Sequence, residues 1–446
     1  MTSRLIRGRL LSFEDRPSGP DDTAALFYES DGGLWLQDGV IRARGPFETI
    51  AAKAPPGTPV TDHRPHLVMP GLIDTHLHMP QMQVIASWAP ALLEWLNTHT
   101  FPAETRFADP VHAARIAGAL FDELLRHGTT TALAYCSVHS TSAEAFFAEA
   151  ARRRLCMIGG KVMMDRNAPK RLTDTAENSF DESAALIERW HGIGRLHYAI
   201  TPRFAITSTP SQLEAAGALK RRYPECYLQT HLSENAAEIA LTAKLYPKAA
   251  DYFAVYEQYG LTGPKALFGH CLHLNERERS AMAETGSVAV FCPTSNLFLG
   301  SGVFDMDGLE AAGLRTAIAT DIGGGTSYSM LRTLDEGYKV LQLQGQRMDP
   351  LTAFYRATLG NARALGLEDR IGTLAVGSDA DIAVFDPAAT PAMALRHETV
   401  GSLADELFLL QTLGDDRSVA AVYVAGDPVD RSPKPGLTAS SETVAI

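Results

Sequence analysis

Short apolar segments alternate with amphipathic helical stretches between about residues 67 and 365, and this alternation constrains the fold more than any other feature of the sequence. The pattern is typical of repeated βα units built around a parallel sheet. The candidate strands cover residues 66–76, 129–135, 156–164, 196–204, 226–232, 266–271, 287–292 and 314–321. Eight parallel strands predict an α/β protein with a (β/α)₈ barrel.

The helical stretches carry start and stop signals of their own. The clearest lies at 109–128, where Asp109 can cap the helix, Pro110 suits the first helical position and Gly128 can end it. Helices are also predicted at 208–222 and 234–245, and as a pair within 327–365.

The two ends of the chain differ from its middle. Residues 1–66 and 372–446 contain short alternating runs such as GLWLQDGVIRARG and VAAVYVAGDPV, separated by Gly, Asp and Pro. Alternation with a period of two predicts strands that bury one face. We therefore expect both ends to form one small β-sandwich beside a barrel made of residues 67–371.

Composition and charge exclude several classes of protein. Forty basic residues stand against 52 acidic ones, and the net charge of −12 opposes binding to nucleic acid or to an anionic membrane. No window approaches the roughly 20 apolar residues of a membrane span, and the N-terminus lacks a signal-peptide stretch. The five cysteines are scattered and lack a Cys-x-x-Cys spacing, which indicates reduced thiols and a cytoplasmic protein.

Two histidines, His76 and His78, end the first predicted strand in the segment PGLIDTHLHMPQ. Side chains at positions i and i+2 of a strand point to the same side, so both imidazoles can reach one ion. Taken alone the pattern is weak, because histidines at strand ends also occur in purely structural roles.

Other predicted strands end in polar or aromatic residues as well. They are Arg203 and Phe204 after strand 4, His231 at strand 5, His270 at strand 6 and Asp321 at strand 8. In barrel enzymes the active site lies at the carboxyl ends of the strands. Neutral imidazoles with one carboxylate suit zinc or iron(II) and leave a position for water. Each residue has an ordinary structural interpretation, but together they favour a metal site.

A further acidic residue, Glu234, follows His231 by three positions in THLSEN. A carboxylate there can stand beside a metal-activated water and act as a general base and then as an acid. The alternative is a glutamate in the first helical turn, where the helix dipole favours negative charge.

Several motifs resemble the amidohydrolase superfamily of metal-dependent hydrolases, and within it the branch that deaminates guanine. These are PGLIDTHLHMPQ, TPRF, THLSEN, FGHC and ATDIGGGTSYSML, with further similarity in TFPAETRF and CPTSNLFLGSG. The resemblance covers nearly the whole chain and fades towards both ends. It implies an enzyme that hydrolyses guanine to xanthine and ammonia with a metal-activated water.

The resemblance also implies a ligand set for one zinc ion, with iron(II) as the alternative. The ligands would be His76, His78, His231 and Asp321. His270 would be either a further ligand or, as we favour, a hydrogen-bond partner of the metal-bound water. Relatives with two metals carry a carboxylated lysine at strand 4, and LHYAITPRF contains none. A site with one metal is therefore expected, and Lys161 on strand 3 is expected to be an ordinary strand residue.

Catalytic and substrate roles follow from the same resemblance. Glu234 would carry a proton to ring N3 of guanine, while His270 and Asp321 orient the water. Gln81 would read the N1 and O6 edge, Arg203 would donate to O6 and Phe204 would cover the ring face. The full set of expected substrate contacts is Gln81, Arg203, Phe204, His231, Glu234 and Asp321.

Some neighbouring residues are expected to have no direct role. Trp88, Trp95 and Phe101 are predicted to pack in the core, and the glycines at 323–325 are predicted to allow close backbone approach rather than phosphate binding. Relatives in the superfamily are usually homodimers, so a homodimer is expected here.

Two other functions are compatible with parts of the pattern. The first is a deaminase or hydrolase acting on another heterocycle, such as 8-oxoguanine or a triazine, since the metal residues do not distinguish these substrates. The second is a non-catalytic scaffold that keeps the barrel, and the retained metal and acid residues speak against it.

Overall fold

A computed structural model describes residues 3–89 and 92–431 of the chain. Its strands, numbered in chain order, are β1 Ser3–Phe13, β2 Leu26–Gln37, β3 Val40–Pro46, β4 Val60–Pro70, β5 Leu72–His78, β6 Thr129–Tyr135, β7 Cys156–Gly160, β8 Val162–Met163, β9 Leu196–Pro202, β10 Tyr227–Leu232, β11 Ala266–His270, β12 Val288–Phe291, β13 Arg315–Ile318, β14 Ile382–Phe385, β15 Val419–Val424 and β16 Asp427–Pro428.

Helices separate the barrel strands and cover their outer surface. The α-helices are Phe47–Ala51, Leu92–Trp95, Phe101–Thr105, Pro110–Arg126, Ser140–Arg152, Ala176–Trp190, Pro210–Arg222, Ala236–Leu245, Tyr252–Gln258, Glu276–Thr285, Pro293–Phe298, Met306–Ala311, Met330–Leu343, Pro350–Tyr355, Asn361–Leu365, Pro391–His397 and Leu403–Leu413. Two π-helical turns, Leu96–Thr100 and Arg356–Gly360, each lie directly between two consecutive α-helices. A 3₁₀ turn, Met79–Val84, follows β5.

The middle of the chain forms the predicted parallel barrel. Its strands follow the order β5-β6-β7-β9-β10-β11-β12-β13, and the short β8 continues the third strand and pairs with β9. Seven of the eight sequence segments predicted as strands contain one of these strands, and the first, 66–76, overlaps β5 over residues 72–76. The limits predicted for the first strand, 66–76, are wrong, because two strands meet there. Residues 60–70 form β4 of the other sheet, and β5 begins after Gly71.

Polar contacts join the first barrel strand to the last. The side chain of Asn361 donates to the carbonyl oxygens of Ile73 on β5 (2.7 Å) and Ile318 on β13 (2.8 Å), and it accepts from the backbone N–H of Ile318 (3.0 Å). Nearer the carboxyl ends of these strands, Asp321 N donates to His76 O at 2.9 Å. The barrel is therefore closed next to two of the predicted metal ligands.

The helix signals in the sequence are confirmed at the clearest position. The Asp109 side chain accepts from Val111 N, Pro110 begins the helix, and Gly128 follows its end with a φ of +79°. The helix predicted at 234–245 begins two residues later, at Ala236, because Asn235 is its capping residue.

Both ends of the chain contribute to one separate seven-stranded sheet, in the order β16-β15-β14-β4-β1-β2-β3. Leu11 and Phe13 on β1 join the apolar cluster of the barrel helices, whereas Ile6 and Leu10 belong to a second cluster within the sheet. The division at 66/67 and 371/372 stays a prediction, β4 runs across the first boundary, and residues 432–446 lie outside the described part of the chain.

Two predictions from composition can be compared with this fold. The five cysteines are all buried and unpaired in the described part of the chain. Among residues 3–89 and 92–431, no helix is long and apolar enough to cross a membrane.

Candidate active site

The predicted site residues meet at the carboxyl ends of the barrel strands. His76 and His78 lie on β5, His231 lies on β10, His270 ends β11, and Asp321 follows β13 by three residues. All five side chains are buried. Residues separated by up to 245 positions in sequence are thus neighbours, as the barrel prediction requires.

Three imidazoles and one carboxylate converge on a common point. Asp321 Oδ1 lies 3.4 Å from His76 Nε2 and 3.3 Å from His78 Nε2, and the Nε2 atoms of His78 and His231 are 3.2 Å apart. The groups His76–His78–His231 and His76–His270–Asp321 both have ligand atoms close enough to hold a metal ion.

The hydrogen bonds around these rings indicate which nitrogens carry protons. His231 Nδ1 lies 2.6 Å from the carbonyl oxygen of Arg203, which can only accept, so the Nε2 atom of a neutral His231 has a free lone pair. His76 Nε2 is buried and has no hydrogen-bond partner among the described residues. Buried lone pairs that face one another are unfavourable unless a cation lies between them. The donor set therefore fits a metal ion.

The electrostatics of the site produce the protonation states that metal ligands need. Burial lowers the pKa of His78 to about 4 and that of His231 well below its usual value, so both are neutral at pH 7. Burial alone would raise the pKa of Asp321, but the contacts with His76 and His78 outweigh it and hold this pKa well below the usual range.

His270 stands beside this group and contacts both acidic residues of the site. Its Nε2 atom lies 3.4 Å from Glu234 Oε2 and 3.8 Å from Asp321 Oδ2. On the other side of the ring, the side-chain amide nitrogen of Asn296 lies 2.9 Å from His270 Nδ1. With that amide donating to Nδ1, a neutral His270 carries its proton on Nε2 and is a donor towards the site.

Glu234 lines the same pocket, and its carboxylate is 4% exposed. Burial, followed by the nearby charges of Glu238 and Asp321, raises its pKa well above the usual value. Ser301 Oγ donates to its Oε1 at 3.0 Å, which leaves Oε2 facing His270. The residue precedes the capping residue Asn235, so the alternative of a first-turn glutamate is wrong; Glu238 has that place.

The pocket beside these residues encloses about 380 Å³ of empty space, part of which is open to solvent. Gln81, Arg203 and Phe204 line it together with Trp95. Trp95 is thus both a core residue, as predicted, and a wall of the pocket. The prediction that Trp88 packs in the core is wrong, since its side chain is 78% exposed.

Glycines leave room for the site, as predicted for 323–325. A Cβ at Gly323 would stand 2.5 Å from the carbonyl oxygen of Gln81. Gly269, for which no role was predicted, is equally restricted: a Cβ there would stand 2.6 Å from His76 Cε1.

Two site residues have backbone conformations that L-amino acids rarely adopt. The φ angle is +74° at His270 and +52° at Asp321, and such conformations cost on the order of 1–3 kcal/mol each. Strained backbone of this kind clusters at functional sites.

Sequence reasoning missed four residues that contact the predicted ones. These are Glu104, Tyr135, Asn296 and Ser301. Tyr135 ends β6 and stacks on His78 with 4.4 Å between ring centroids. Glu104 lies in TFPAETRF, and Asn296 and Ser301 lie in CPTSNLFLGSG. Those two motifs carried the family resemblance, so they were the available signal.

Comparison with known proteins agrees with this site. Residues 67–429 match the amidohydrolase family, a span that includes every predicted site residue. This chain belongs to the amidohydrolase family. The resemblance predicted from the sequence is thereby confirmed.

Relatives of this amidohydrolase include guanine deaminases. The guanine deaminase of Escherichia coli (strain K12) is 47% identical over 426 residues, which are 95% of this chain and 97% of that protein. The guanine deaminase of Homo sapiens is 31% identical over 376 residues, which are 81% and 82% of the two chains.

Solved structures agree over almost the whole amidohydrolase chain. The E. coli guanine deaminase structure has a TM-score of 0.93 at 46% identity and covers 97% of this chain and 100% of its own. A guanine deaminase from C. acetobutylicum, solved with guanine bound in its active site, has a TM-score of 0.85 at 26% identity and covers 96% and 100%.

Proposed function

We propose that this amidohydrolase deaminates guanine hydrolytically, giving xanthine and ammonia, with one zinc ion at the active site. The observation that carries the proposal is the meeting of His76, His78, His231 and Asp321 with the buried acid Glu234 in one small pocket. Similarity to guanine deaminases over 95% of the chain supports guanine as the substrate.

His76, His78, His231 and Asp321 would hold the ion. Imidazole and carboxylate ligands suit zinc and iron(II) alike, and the deaminase chemistry favours zinc. A bound zinc ion supplies a water that is acidic enough to lose a proton near pH 7. Lys161 supports a site with one metal, because its ammonium is buried in an ion pair with Asp174 at 2.6 Å and is 3.4 Å from Glu182.

His270 would orient the attacking water rather than bind the metal. The hydrogen bond at Nδ1 from Asn296 supports this role, because it leaves the Nε2 proton pointing towards Glu234 and Asp321. A protonated Nε2 has no lone pair for a metal.

Glu234 would move the protons of the reaction. Burial raises its pKa well above the usual value, and this favours the protonated form that a general acid needs. It takes one proton from the attacking water and gives it to ring N3 of guanine. After the water oxygen has added to C2, Glu234 takes the remaining proton of that oxygen and gives it to the 2-amino group, so that the C2–N bond breaks, ammonia leaves and the C2 carbonyl of xanthine forms. The hydrogen bond from Ser301 keeps Oε1 occupied, so Oε2 is the oxygen that exchanges the proton.

Gln81, Arg203 and Phe204 would bind the purine, together with His231, Glu234 and Asp321 beside the reacting carbon. The amide of Gln81 and the guanidinium of Arg203 supply hydrogen bonds for the N1 and O6 edge. The Phe204 ring gives an apolar wall.

The test is a guanine turnover assay with metal analysis on the same sample. We expect xanthine and ammonia in equal amounts and one zinc per chain. A Glu234→Gln variant should keep the metal and lose ~10² to 10⁴ in rate. Glu276→Gln, which changes an exposed glutamate at the start of another helix, is the matched control. Turnover of another heterocycle, such as 8-oxoguanine or a triazine, with no turnover of guanine would refute the proposal.

Two expectations from the sequence stay predictions. A homodimer is testable by sedimentation, and closed two-fold dimers are the commonest assembly. A cytoplasmic location is supported by five buried thiols that form no disulfide in the described residues, and cell fractionation tests it.

A further inference from the structure

Glu104 is a buried carboxylate beside the pocket to which the proposed mechanism gives no role. It lies on the short helix Phe101–Thr105 and is 1% exposed. Arg203 Nη1 donates to both of its oxygens, at 2.8 Å and 2.9 Å, and Gln81 Nε2 donates to Oε1 at 3.2 Å. One acid therefore contacts both residues that are proposed to read the purine edge.

These contacts fix the direction of the Gln81 amide. An ionised carboxylate can only accept hydrogen bonds, so the NH₂ group of Gln81 must be the end that faces Glu104. At the other end, Gln81 Oε1 accepts from Gly323 N at 3.3 Å, and that N–H can only donate. A reversed amide would place like groups against each other at both ends. Oε1 keeps a second lone pair, so in this orientation Gln81 can accept a hydrogen bond from a ligand in the pocket.

The ion pair also limits what Arg203 can do. Its Nη1 is engaged by Glu104, and the guanidinium has no acceptor atoms, so its remaining N–H groups can only donate to a ligand. The pocket thus presents an acceptor from Gln81 beside donors from Arg203. Guanine carries the complementary pair, an N1–H donor next to the O6 acceptor.

We propose that Glu104 is a positioning residue that sets the purine specificity of the site by holding Gln81 as an acceptor and Arg203 as a donor. The inference rests on the proposed function, since it assumes that these two residues bind the purine. A 2,6-diaminopurine has the opposite pattern, with a lone pair at N1 and an amino group at C6. Both of its edge groups would face like groups in the pocket, and sites built from buried hydrogen bonds discriminate strongly against such ligands.

The test compares guanine with 2,6-diaminopurine in the wild-type protein and in Glu104→Gln. Both purines carry the 2-amino group that Glu234 would protonate, so the chemistry is the same and only the edge differs. The readout is the kcat/KM for guanine divided by that for 2,6-diaminopurine. Where the diaminopurine is not turned over, it is the inhibition constant of the diaminopurine divided by the KM of guanine. A glutamine at position 104 can donate or accept, so the 3.3 Å bond from Gly323 N would be the remaining one of the two contacts that fix the Gln81 amide, and reversal of the amide would cost less. We expect the ratio to fall by at least tenfold while the metal content stays unchanged.

Glu406→Gln is the matched control. Glu406 is also buried and also forms a two-pronged ion pair, with Arg9 at 2.8 Å and 2.6 Å, but it lies on the helix Leu403–Leu413 and does not line the pocket. Its substitution should lower stability and leave the ratio as in the wild type. A purely structural role for Glu104 would give the same result as this control, with activity towards both purines reduced equally.

A Glu104→Gln protein that is folded, holds its metal and keeps the wild-type ratio within twofold would overturn the inference. If that variant does not fold, Glu104→Asp tests the same step, because it keeps the negative charge beside Arg203 and withdraws the carboxylate from Gln81 by one methylene: a ratio at least tenfold lower supports the inference, and a ratio within twofold of the wild type refutes it. The two hypotheses fail in different ways. If the wild-type protein does not turn over guanine, the proposed function and the inference both fail. If the wild type turns over guanine and the Glu104→Gln variant keeps the wild-type ratio, only the role of Glu104 fails.

Discussion

The substitution Gly269→Ala should disable the site through one methyl group. A Cβ at this position would lie 2.6 Å from His76 Cε1, 3.1 Å from Nδ1 and 3.3 Å from Nε2. Carbon atoms in contact are ~3.5–4.0 Å apart, so the ring would have to move by about 1 Å. The φ angle of Gly269 does not lie in the left-handed region, so the added strain is steric and local to His76.

The imidazole of His76 has little space in which to move. Its ring centroid is 4.9 Å from that of Tyr135, 4.9 Å from that of His231 and 5.6 Å from that of His270. Zinc–nitrogen bonds are about 2.0–2.1 Å long and tolerate roughly ±0.2 Å, so a shift of about 1 Å breaks the coordination. A misplacement of this size in an active site costs about 10²-fold in rate.

We therefore expect Gly269→Ala to bind metal and turn over guanine at least ~100-fold less well, and to lose about 1–3 kcal/mol of stability through overpacking. The assays are guanine turnover, metal stoichiometry after dialysis, and denaturant unfolding. Gly118→Ala is the control, because its Cβ would meet only Glu149 Oε1 at 4.0 Å on a helix, where alanine is favoured. One tightly bound metal per chain and full activity in Gly269→Ala would refute the reasoning.

Three further predictions follow from single contacts. Ser301→Ala should lower kcat/KM about tenfold and move the acidic limb of the pH profile upwards, because Glu234 loses a donor that favours its ionised form; an unchanged profile would contradict this. Asn361→Ala should lower the free energy of unfolding, measured with denaturant, by about 2–4 kcal/mol, because it removes three buried hydrogen bonds. The control Asn97→Ala changes an exposed asparagine and should lower the free energy of unfolding by less than about 0.5 kcal/mol. The affinity for the metal should stay level between pH 7 and about pH 5 and fall below about pH 4, because protons then compete with the metal for the lone pair of His78, whose pKa in the metal-free site is about 4; an affinity that is the same at pH 5 and pH 3 would contradict this.

The sequence predicted the barrel because the evidence for it is local. Each strand and helix has its own periodicity, and a cap such as Asp109 lies next to the helix that it begins. The meeting of the candidate metal ligands was predictable for a related reason: a histidine or aspartate at the end of a barrel strand must lie at the same rim as the others. The positions of His76 and Asp321 at the ends of predicted strands were therefore enough to predict that the two side chains lie close together.

The boundary between the two sheets was predicted less well. Residues 67–73 are apolar on both sides of Pro70 and Gly71, so the run resembles a single strand although that dipeptide can mark a turn. The separation comes from tertiary contacts, because Gly71 N bonds to the carbonyl of Asp381 near the other end of the chain, and a Cβ at Gly71 would collide with Thr130. A similar limit applies to Trp88, whose exposure depends on neighbours that the sequence does not reveal.

The sequence by itself thus determined the residue types of the site and the strand ends that carry them. The tertiary structure alone decided their protonation and direction: that Arg203 O fixes the proton of His231, that Ser301 occupies one oxygen of Glu234, and that Glu104 orients Gln81. The physical reason is that a hydrogen bond depends on distances of a few tenths of an ångström between residues far apart in the chain, whereas periodicity and strand position are properties of the local sequence.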